Sequence, residues 1–155
     1  MKRKLALTLV ALAVAGTAFA QAKPEDQIKF RQSGYAFMAW NMGKLKGMLV
    51  DNPASYNKEQ AAAAANAIQA IANSGMGALY APGTDKGTGW KETRVKPELF
   101  TDKDGVGKVA VNFNKEANEL AKVAASGDAA ALKAQFGKVG EACKSCHDKF
   151  RKDEK

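Results

Sequence analysis

The five residues Cys143-Lys144-Ser145-Cys146-His147 lie eight residues before the end of a 155-residue chain and include both of its cysteines and its only histidine. The pattern C-x-x-C-H is the attachment signature of c-type haem. Two thiols one helical turn apart each form a thioether with a haem vinyl group, and the next residue places an imidazole under the iron. Because the chain has a single histidine, His147 is the one candidate for the iron ligand.

Three other interpretations explain fewer of these residues. A structural zinc site normally has four Cys or His ligands, whereas this chain supplies three. A catalytic zinc accepts three ligands, and Asp148 is nearby, so this alternative stays open. A thioredoxin-type C-x-x-C needs strand patterning around it, and a plain disulfide leaves His147 without a role. We therefore predict one haem c per chain, attached covalently through Cys143 and Cys146, with His147 as the metal ligand.

The first 20 residues have the features of a secretory signal peptide. Residues 2–4 are basic, residues 5–15 form an apolar stretch, and residues 18–20 read Ala-Phe-Ala, a small-residue cleavage pattern. The apolar stretch is too short for a permanent membrane anchor, so we expect a mature chain, 21–155, without a membrane segment. Since haem c is attached outside the bacterial cytoplasm, the expected location is the periplasm.

Length and charge indicate one domain and no nucleic-acid partner. The whole chain has 24 basic and 16 acidic residues, a net charge of +8. Residues 1–20 carry three basic and no acidic residues, which leaves the mature chain at +5. That mature chain is long enough for one domain with a hydrophobic core. Its positive charge is spread along the sequence without a concentrated basic stripe, which argues against nucleic-acid binding.

The mature region shows four segments with helical hydrophobic spacing. The predicted helices cover 24–50, 57–74, 102–126 and 128–150, with Asn57 and Asp128 as N-caps and Gly127 as a helix end. Helices of about 20 residues joined by short turns predict an all-α, antiparallel four-helix bundle. In the fourth helix both cysteines share one seam with the apolar residues, so a haem bonded there lies in the bundle core. The seam consists of Leu132, Phe136, Val139, Cys143, Cys146 and Phe150.

One connection is much longer than the others. Residues 80–101 contain three glycines and two prolines and show no helical periodicity. A loop of this size in a compact domain is usually functional. The alternative, a solvated crossover between two helices, remains open on the sequence alone.

Several segments resemble a known family. They lie in the first helix, in the long connection and around the haem motif, and together they are similar to the cytochromes c′, the high-spin class II c-type cytochromes. The resemblance extends over 21–155. The segments are Arg31-Gln32-Ser33-Gly34-Tyr35, Pro82-Gly83-Thr84, Lys96-Pro97-Glu98 and Gly140-Glu141-Ala142-Cys143-Lys144-Ser145-Cys146-His147-Asp148-Lys149-Phe150-Arg151.

The resemblance implies a four-helix bundle, commonly a homodimer, with five-coordinate haem iron that binds nitric oxide (NO) and carbon monoxide (CO). In such proteins a first-helix side chain covers the sixth side of the iron without ligating it, and Tyr35 falls at this position. Arg151 matches a basic residue near the iron-bound imidazole. Contacts to the haem propionates are implied for Arg31, Gln32, Thr93 and Arg94.

Arg31 has independent support from the helical pattern. It lies on the same helix face as Tyr35 and Met38, and an inward guanidinium needs a counter-charge because an unpaired buried charge is very costly. A haem propionate would supply that charge. The alternatives are that Arg31 extends to solvent or pairs with a carboxylate at the edge of the core.

The methionines define an alternative function. If Met38 reached the iron as a sixth ligand, the protein would be a low-spin electron carrier, because thioether ligation raises the reduction potential. We prefer gas binding with Tyr35 on the sixth side, with a part in electron transport and a redox partner protein kept as options. An enzyme is not expected, since a peroxidase needs a distal acid–base group and His147 is already used. Phe30, Phe37 and Met48 either complete the monomer core or form a two-fold interface, and the resemblance favours the interface.

Overall fold

The computed structural model describes residues 22–153. Within them it contains two isolated β-bridges and no β-strand. The predicted signal peptide, 1–20, lies outside the described residues. The five α-helices are α1 (Pro24–Lys46), α2 (Lys58–Ala72), the one-turn α3 (Glu98–Thr101), α4 (Lys103–Ser126) and α5 (Ala129–Phe150).

The helices begin where short polar side chains can satisfy their first N–H groups. Asn57, Asp102 and Asp128 each accept a hydrogen bond from the backbone one turn ahead, which stabilises α2, α4 and α5 at their N-termini. Gly127 separates α4 from α5 with a φ of 82°, a left-handed conformation that glycine adopts without strain. These caps confirm the predicted starts of the second, third and fourth helices. The donors are the N–H groups of Gln60, Gly105, Ala130 and Ala131.

The four long helices form the predicted antiparallel bundle. Helix α1 packs against α2, α2 against α4, and α4 against α5, and the turn after α1 contacts α5. The buried apolar residues that contact one another lie mainly in the C-terminal half of α1, in α2, in the C-terminal half of α4 and in the N-terminal half of α5. We call this part of the bundle the packed end. Its members are Met38, Leu45, Met48, Leu49, Ala61, Ala64, Ala65, Ile68, Ala117, Leu120, Ala124, Leu132 and Val139.

A π-helical turn, Gly47–Asp51, continues α1 and ends with a bond from Asn52 N–H to the Gly47 carbonyl, 2.9 Å long. Met48 follows Leu45 by three residues and Met38 by ten, so it lies on the same buried helix face and is 8% exposed. The interface prediction is therefore wrong for Met48. Phe30 and Phe37 are 58% and 51% exposed, so they do not complete the monomer core.

The long connection runs back across α1 and then along the end of α5. Residues 81–97 contain no helix, and the one-turn α3 follows directly. Gly89 lies so close to α1 that an added Cβ would be 2.6 Å from the backbone nitrogen of Lys29, so only glycine fits there. Among residues 22–153, no helix combines the length and the apolar character that a membrane span requires.

Candidate haem site

The C-x-x-C-H motif lies in the C-terminal half of α5. At spacings of three and four residues, Cys143, Cys146 and His147 project from one face of the helix. All three are partly buried, and both cysteines are free thiols. Burial raises the pKa of both thiols, and that of Cys143 is raised further by the nearby Cys146. The chain thus presents two neighbouring, protonated thiols and an imidazole on the inward side of α5.

His147 is held in its neutral form. Burial lowers its pKa, and the positive charges of Arg151 and Arg94 lower it further. The Arg151 guanidinium nitrogen Nη1 lies 3.5 Å from His147 Nε2. A neutral imidazole keeps the lone pair that a metal ligand needs. The structure therefore brings Arg151 beside the imidazole, as the sequence predicted.

An extended segment of the long connection fixes the end of α5. Lys96 N–H donates to the Phe150 carbonyl at 2.9 Å, and Lys152 N–H donates to the Arg94 carbonyl at 2.7 Å. Between these bonds Val95 forms a β-bridge with Arg151. This pairing holds the chain that carries Arg94 against the turn that carries His147.

Tyr35 on α1 lies across the bundle from the two cysteines. The Tyr35 side chain is 41% exposed. Burial of its hydroxyl raises its pKa, the hydrogen bond from Tyr80 lowers it, and proximity to Cys146 and Cys143 raises it. Tyr80 from the long connection donates a hydrogen bond to the Tyr35 hydroxyl at 3.1 Å.

Arg31 is 2% exposed and points into the protein. Its two terminal nitrogens donate to the Leu79 carbonyl at 3.1 Å and to the hydroxyls of Thr84 and Thr93, both at 2.7 Å. A further bond reaches the Thr84 carbonyl. The guanidinium is thus satisfied by neutral oxygens of the long connection, and burial lowers its pKa. It neither extends to solvent nor pairs with a carboxylate, while the propionate contact stays a prediction.

The other three residues with a predicted propionate contact either lie in the long connection, as Thr93 and Arg94 do, or contact it, as Gln32 does. Gln32 binds the backbone of Trp90 and Lys91, with its Oε1 accepting from Trp90 N–H at 2.8 Å. Thr93 is 5% exposed and serves Arg31, and Arg94 lies partly buried next to α5. Their contacts to a propionate remain predictions.

Met38 lies on the core face where the helical spacing predicted it, whereas Tyr80 was not predicted. Met38 is 6% exposed and belongs to the apolar cluster of the packed end. Tyr80 reaches the site, but the sequence did not indicate it as a site residue. The sequence also did not predict that Thr84 accepts hydrogen bonds from Arg31. A signal for Thr84 existed, because a buried arginine needs several acceptors and the long connection supplies hydroxyls. No sequence pattern pointed to Tyr80.

The donor set fits a covalently attached haem. Two free thiols share a helix face with a neutral imidazole. The catalytic zinc alternative has no support in the structure. Within residues 22–153, no three His, Cys, Asp or Glu side chains lie close enough together to hold a metal ion. Cys143 and Cys146 would hold the haem covalently, and His147 would bind its iron.

Comparison with known proteins gives one consistent answer. The family model described as cytochrome C′ matches residues 26–151. Cytochrome c′ of Rhodocyclus tenuis is 64% identical over 131 residues, which are 84% of this chain and 97% of that protein. A solved cytochrome c′ with unusual ligand-controlled dimer dissociation superposes with a TM-score of 0.81 at 58% identity, covering 86% of this chain and all of the other.

A third similar protein carries a ligand. The nitric oxide complex of a cytochrome c′ mutant from Alcaligenes xylosoxidans has a TM-score of 0.74 and 32% identity, covering 85% of this chain and 98% of its own. The bundle and the haem motif together define a c-type cytochrome with an all-helical fold. More narrowly, the chain belongs to the cytochrome c′ family.

Proposed function

We propose that this protein binds NO and CO at one haem c per chain, with His147 as the only protein ligand to the iron. When bound, the haem supplies an iron atom that can bond a small gas on the side away from His147. The protein's own contribution is to cover that side with Tyr35. We place the mature chain, 21–155, in the periplasm.

The position of Tyr35 relative to Met38 carries this proposal. Tyr35 lies outside the packed end and accepts a hydrogen bond from Tyr80 of the long connection at 3.1 Å. Met38, three residues further along α1, is surrounded by the core of the packed end and is 6% exposed. A methionine that served the iron would have to leave that core, at the cost of the burial that now stabilises it. The packing therefore supports a phenol, rather than a thioether, on the sixth side.

Tyr35 also limits how tightly any gas binds. A gas has to displace the phenol, which lowers the affinity for every ligand by about the same free energy and leaves the ratios between ligands unchanged. NO, whose bond to iron is intrinsically the strongest, keeps a useful affinity in spite of this cost. Turnover is not part of the proposal, because His147 is the only histidine and no second one is left for acid–base chemistry.

The family comparisons support the ligand and the assembly. One relative forms a complex with NO, and another is a dimer whose dissociation depends on ligand. For this chain we propose a homodimer that uses the exposed aromatic side of α1. There Phe37 and Trp40 stack with ring centroids 5.8 Å apart and are 51% and 59% exposed. A role in electron transport with a redox partner protein remains secondary.

Absorption spectra and CO association rates of the purified holoprotein test the proposal. We expect high-spin bands in the oxidised and reduced forms, and Tyr35→Ala should speed CO association about tenfold or more, equivalent to ~1.4 kcal/mol off the barrier. The volume-conserving variant Met38→Leu is the matched control and should leave the spectra unchanged. A low-spin spectrum that becomes high-spin in Met38→Leu would instead identify the electron carrier.

A further inference from the structure

Tyr80 lies at the start of the long connection, directly after the short 3-10 helix Met76–Leu79. It is partly buried, and its hydroxyl donates to the hydroxyl of Tyr35 at 3.1 Å. Burial and the neighbouring Tyr35 raise the pKa of Tyr80 far above its ordinary value. Both phenols therefore keep their protons at physiological pH, so Tyr80 can donate to Tyr35 there.

The backbone on both sides of Tyr80 is tied to α1. The Leu79 carbonyl accepts from Arg31 Nη1 at 3.1 Å, and the Ala81 N–H donates to Gln27 Oε1 at 3.2 Å. In addition, the Arg31 guanidinium carbon lies 4.6 Å from the centroid of the Tyr80 ring, within the range of a cation–π contact. Three separate contacts thus fix Tyr80 relative to the helix that carries Tyr35.

Arg31 itself has little freedom to move. It is 2% exposed, and the buried side chains of Thr84 and Thr93 each hold one of its terminal nitrogens at 2.7 Å. Movement of Tyr80 would disturb this buried set, whereas the Tyr35 side chain is 41% exposed. The Tyr80 hydroxyl is therefore the fixed partner, and the Tyr35 hydroxyl is the mobile one.

We infer that Tyr80 is a positioning residue that holds Tyr35 over the sixth side of the haem iron and so sets the rate of gas binding. This inference rests on the proposed function, because it needs Tyr35 to obstruct the ligand. A gas can bind only after the bond between the two phenols breaks. Loss of this bond destabilises only the arrangement in which Tyr35 covers the iron. Gas association therefore becomes faster, while gas dissociation keeps its rate.

The test uses holoprotein carrying Tyr80→Phe, Tyr35→Phe or both, since each variant keeps its ring and loses one hydroxyl. CO association should become about three- to tenfold faster in Tyr80→Phe, the factor that one net hydrogen bond represents. Tyr35→Phe should give a similar factor, and the double variant should be no faster than either single one. CO dissociation should change less than twofold. Tyr56→Phe is the matched control, because it removes a hydroxyl bond to the Gly127 carbonyl at the packed end.

A measurement without CO checks the bond itself. In urea unfolding of the same holoproteins, the losses of stability in Tyr80→Phe and Tyr35→Phe should be strongly non-additive, as for two partners of one bond. Additive losses, or an unchanged association rate in Tyr80→Phe, would overturn the role of Tyr80. If Tyr35→Ala also leaves association unchanged, the proposed function fails as well; if Tyr35→Ala is fast and Tyr80→Phe is not, only the inference about Tyr80 fails.

Discussion

At the packed end, α2 and α4 meet through alanines, with Leu120 and Ile68 filling the space between them. At the other end, which we call the site end, Arg31 and Gln32 connect α1 to a loop through side-chain hydrogen bonds over 48–62 residues of sequence. Apolar burial stabilises the first end, and polar contacts organise the second. Because alanines line the contact between α2 and α4, the helices lie close together at the packed end, where no ligand has to bind.

This difference suits a protein that has to admit a gas. Close-packed interiors resist displacement, because every lost contact costs energy. Hydrogen bonds between side chains contribute less each and can break one at a time. A movable Tyr35 is therefore compatible with a bundle that does not loosen as a whole. The predictions below test the contrast from the largest expected effect to the smallest.

Leu120→Ala should give the largest loss of stability. Leu120 is fully buried, and its neighbours on α4, Ala117 and Ala124, are too small to fill the cavity. We expect a loss of about 2–5 kcal/mol in urea unfolding of the holoprotein. Val111→Ala on the same helix is the matched control, since Val111 is 71% exposed and should change stability by less than about 0.5 kcal/mol. Equal effects of the two variants would contradict a close-packed interior at this end.

Arg31→Lys should have an intermediate effect that is confined to the site end. Lysine keeps the charge but cannot bridge the oxygens that the planar guanidinium reaches, so buried acceptors on Thr84 and Thr93 lose a donor. We expect a loss of about 1.5–3 kcal/mol and faster proteolytic cleavage within 80–97. Lys29→Met is the comparison variant, since it removes an exposed cation–π contact with Trp90, worth about 0.5–1 kcal/mol. Intact resistance of the loop in Arg31→Lys would show that Arg31 is not its anchor.

The features that the sequence predicts correctly are those with short-range causes. Asn57, Asp128 and Gly127 act on backbone groups within three residues, and the three haem-motif residues share a face through helix geometry alone. The all-α bundle could likewise be predicted from the helical spacing of apolar residues, which is also a short-range feature. The core position of Met48 also follows from this spacing, because it lies ten residues after Met38 and three after Leu45 on one helix face; the interface prediction for Met48 came from the family resemblance and was wrong.

The contacts of the site end have long-range causes. Tyr80 and Tyr35 are 45 residues apart, and Arg31 and Thr93 are 62 apart. Which loop residue meets which helix residue depends on how the loop folds back, and neither periodicity nor composition encodes that path. The need to satisfy a buried polar group gives part of this information. Arg31 on an inward helix face requires hydrogen-bond acceptors, and here neutral hydroxyls and carbonyls supply them.

The smallest expected effect is an acid dependence at the site end. Asp102 caps α4 and binds Lys149 of α5 at 2.6 Å. The hydrogen bond from Lys149, and then that from Gly105 N–H, lowers the pKa of Asp102 below its ordinary value of 3.8. A lowered folded-state pKa stabilises the fold fully above the unfolded value, and this contribution disappears as the pH falls through the folded-state pKa.

Asp102→Asn isolates this contribution, because asparagine is an equally good N-cap without the charge. The difference in unfolding free energy between wild type and Asp102→Asn should be constant well above the ordinary pKa of 3.8 and shrink as the pH falls below it, through the lowered folded-state pKa. Lys149→Met should remove the same contribution, so the double variant should resemble either single one. A difference that stays constant with pH would mean that the carboxylate gains nothing from Lys149. At the packed end Glu116, whose pKa is lowered first by the hydrogen bond from Gln135, adds an acid dependence of its own, which the comparison of wild type with Asp102→Asn cancels.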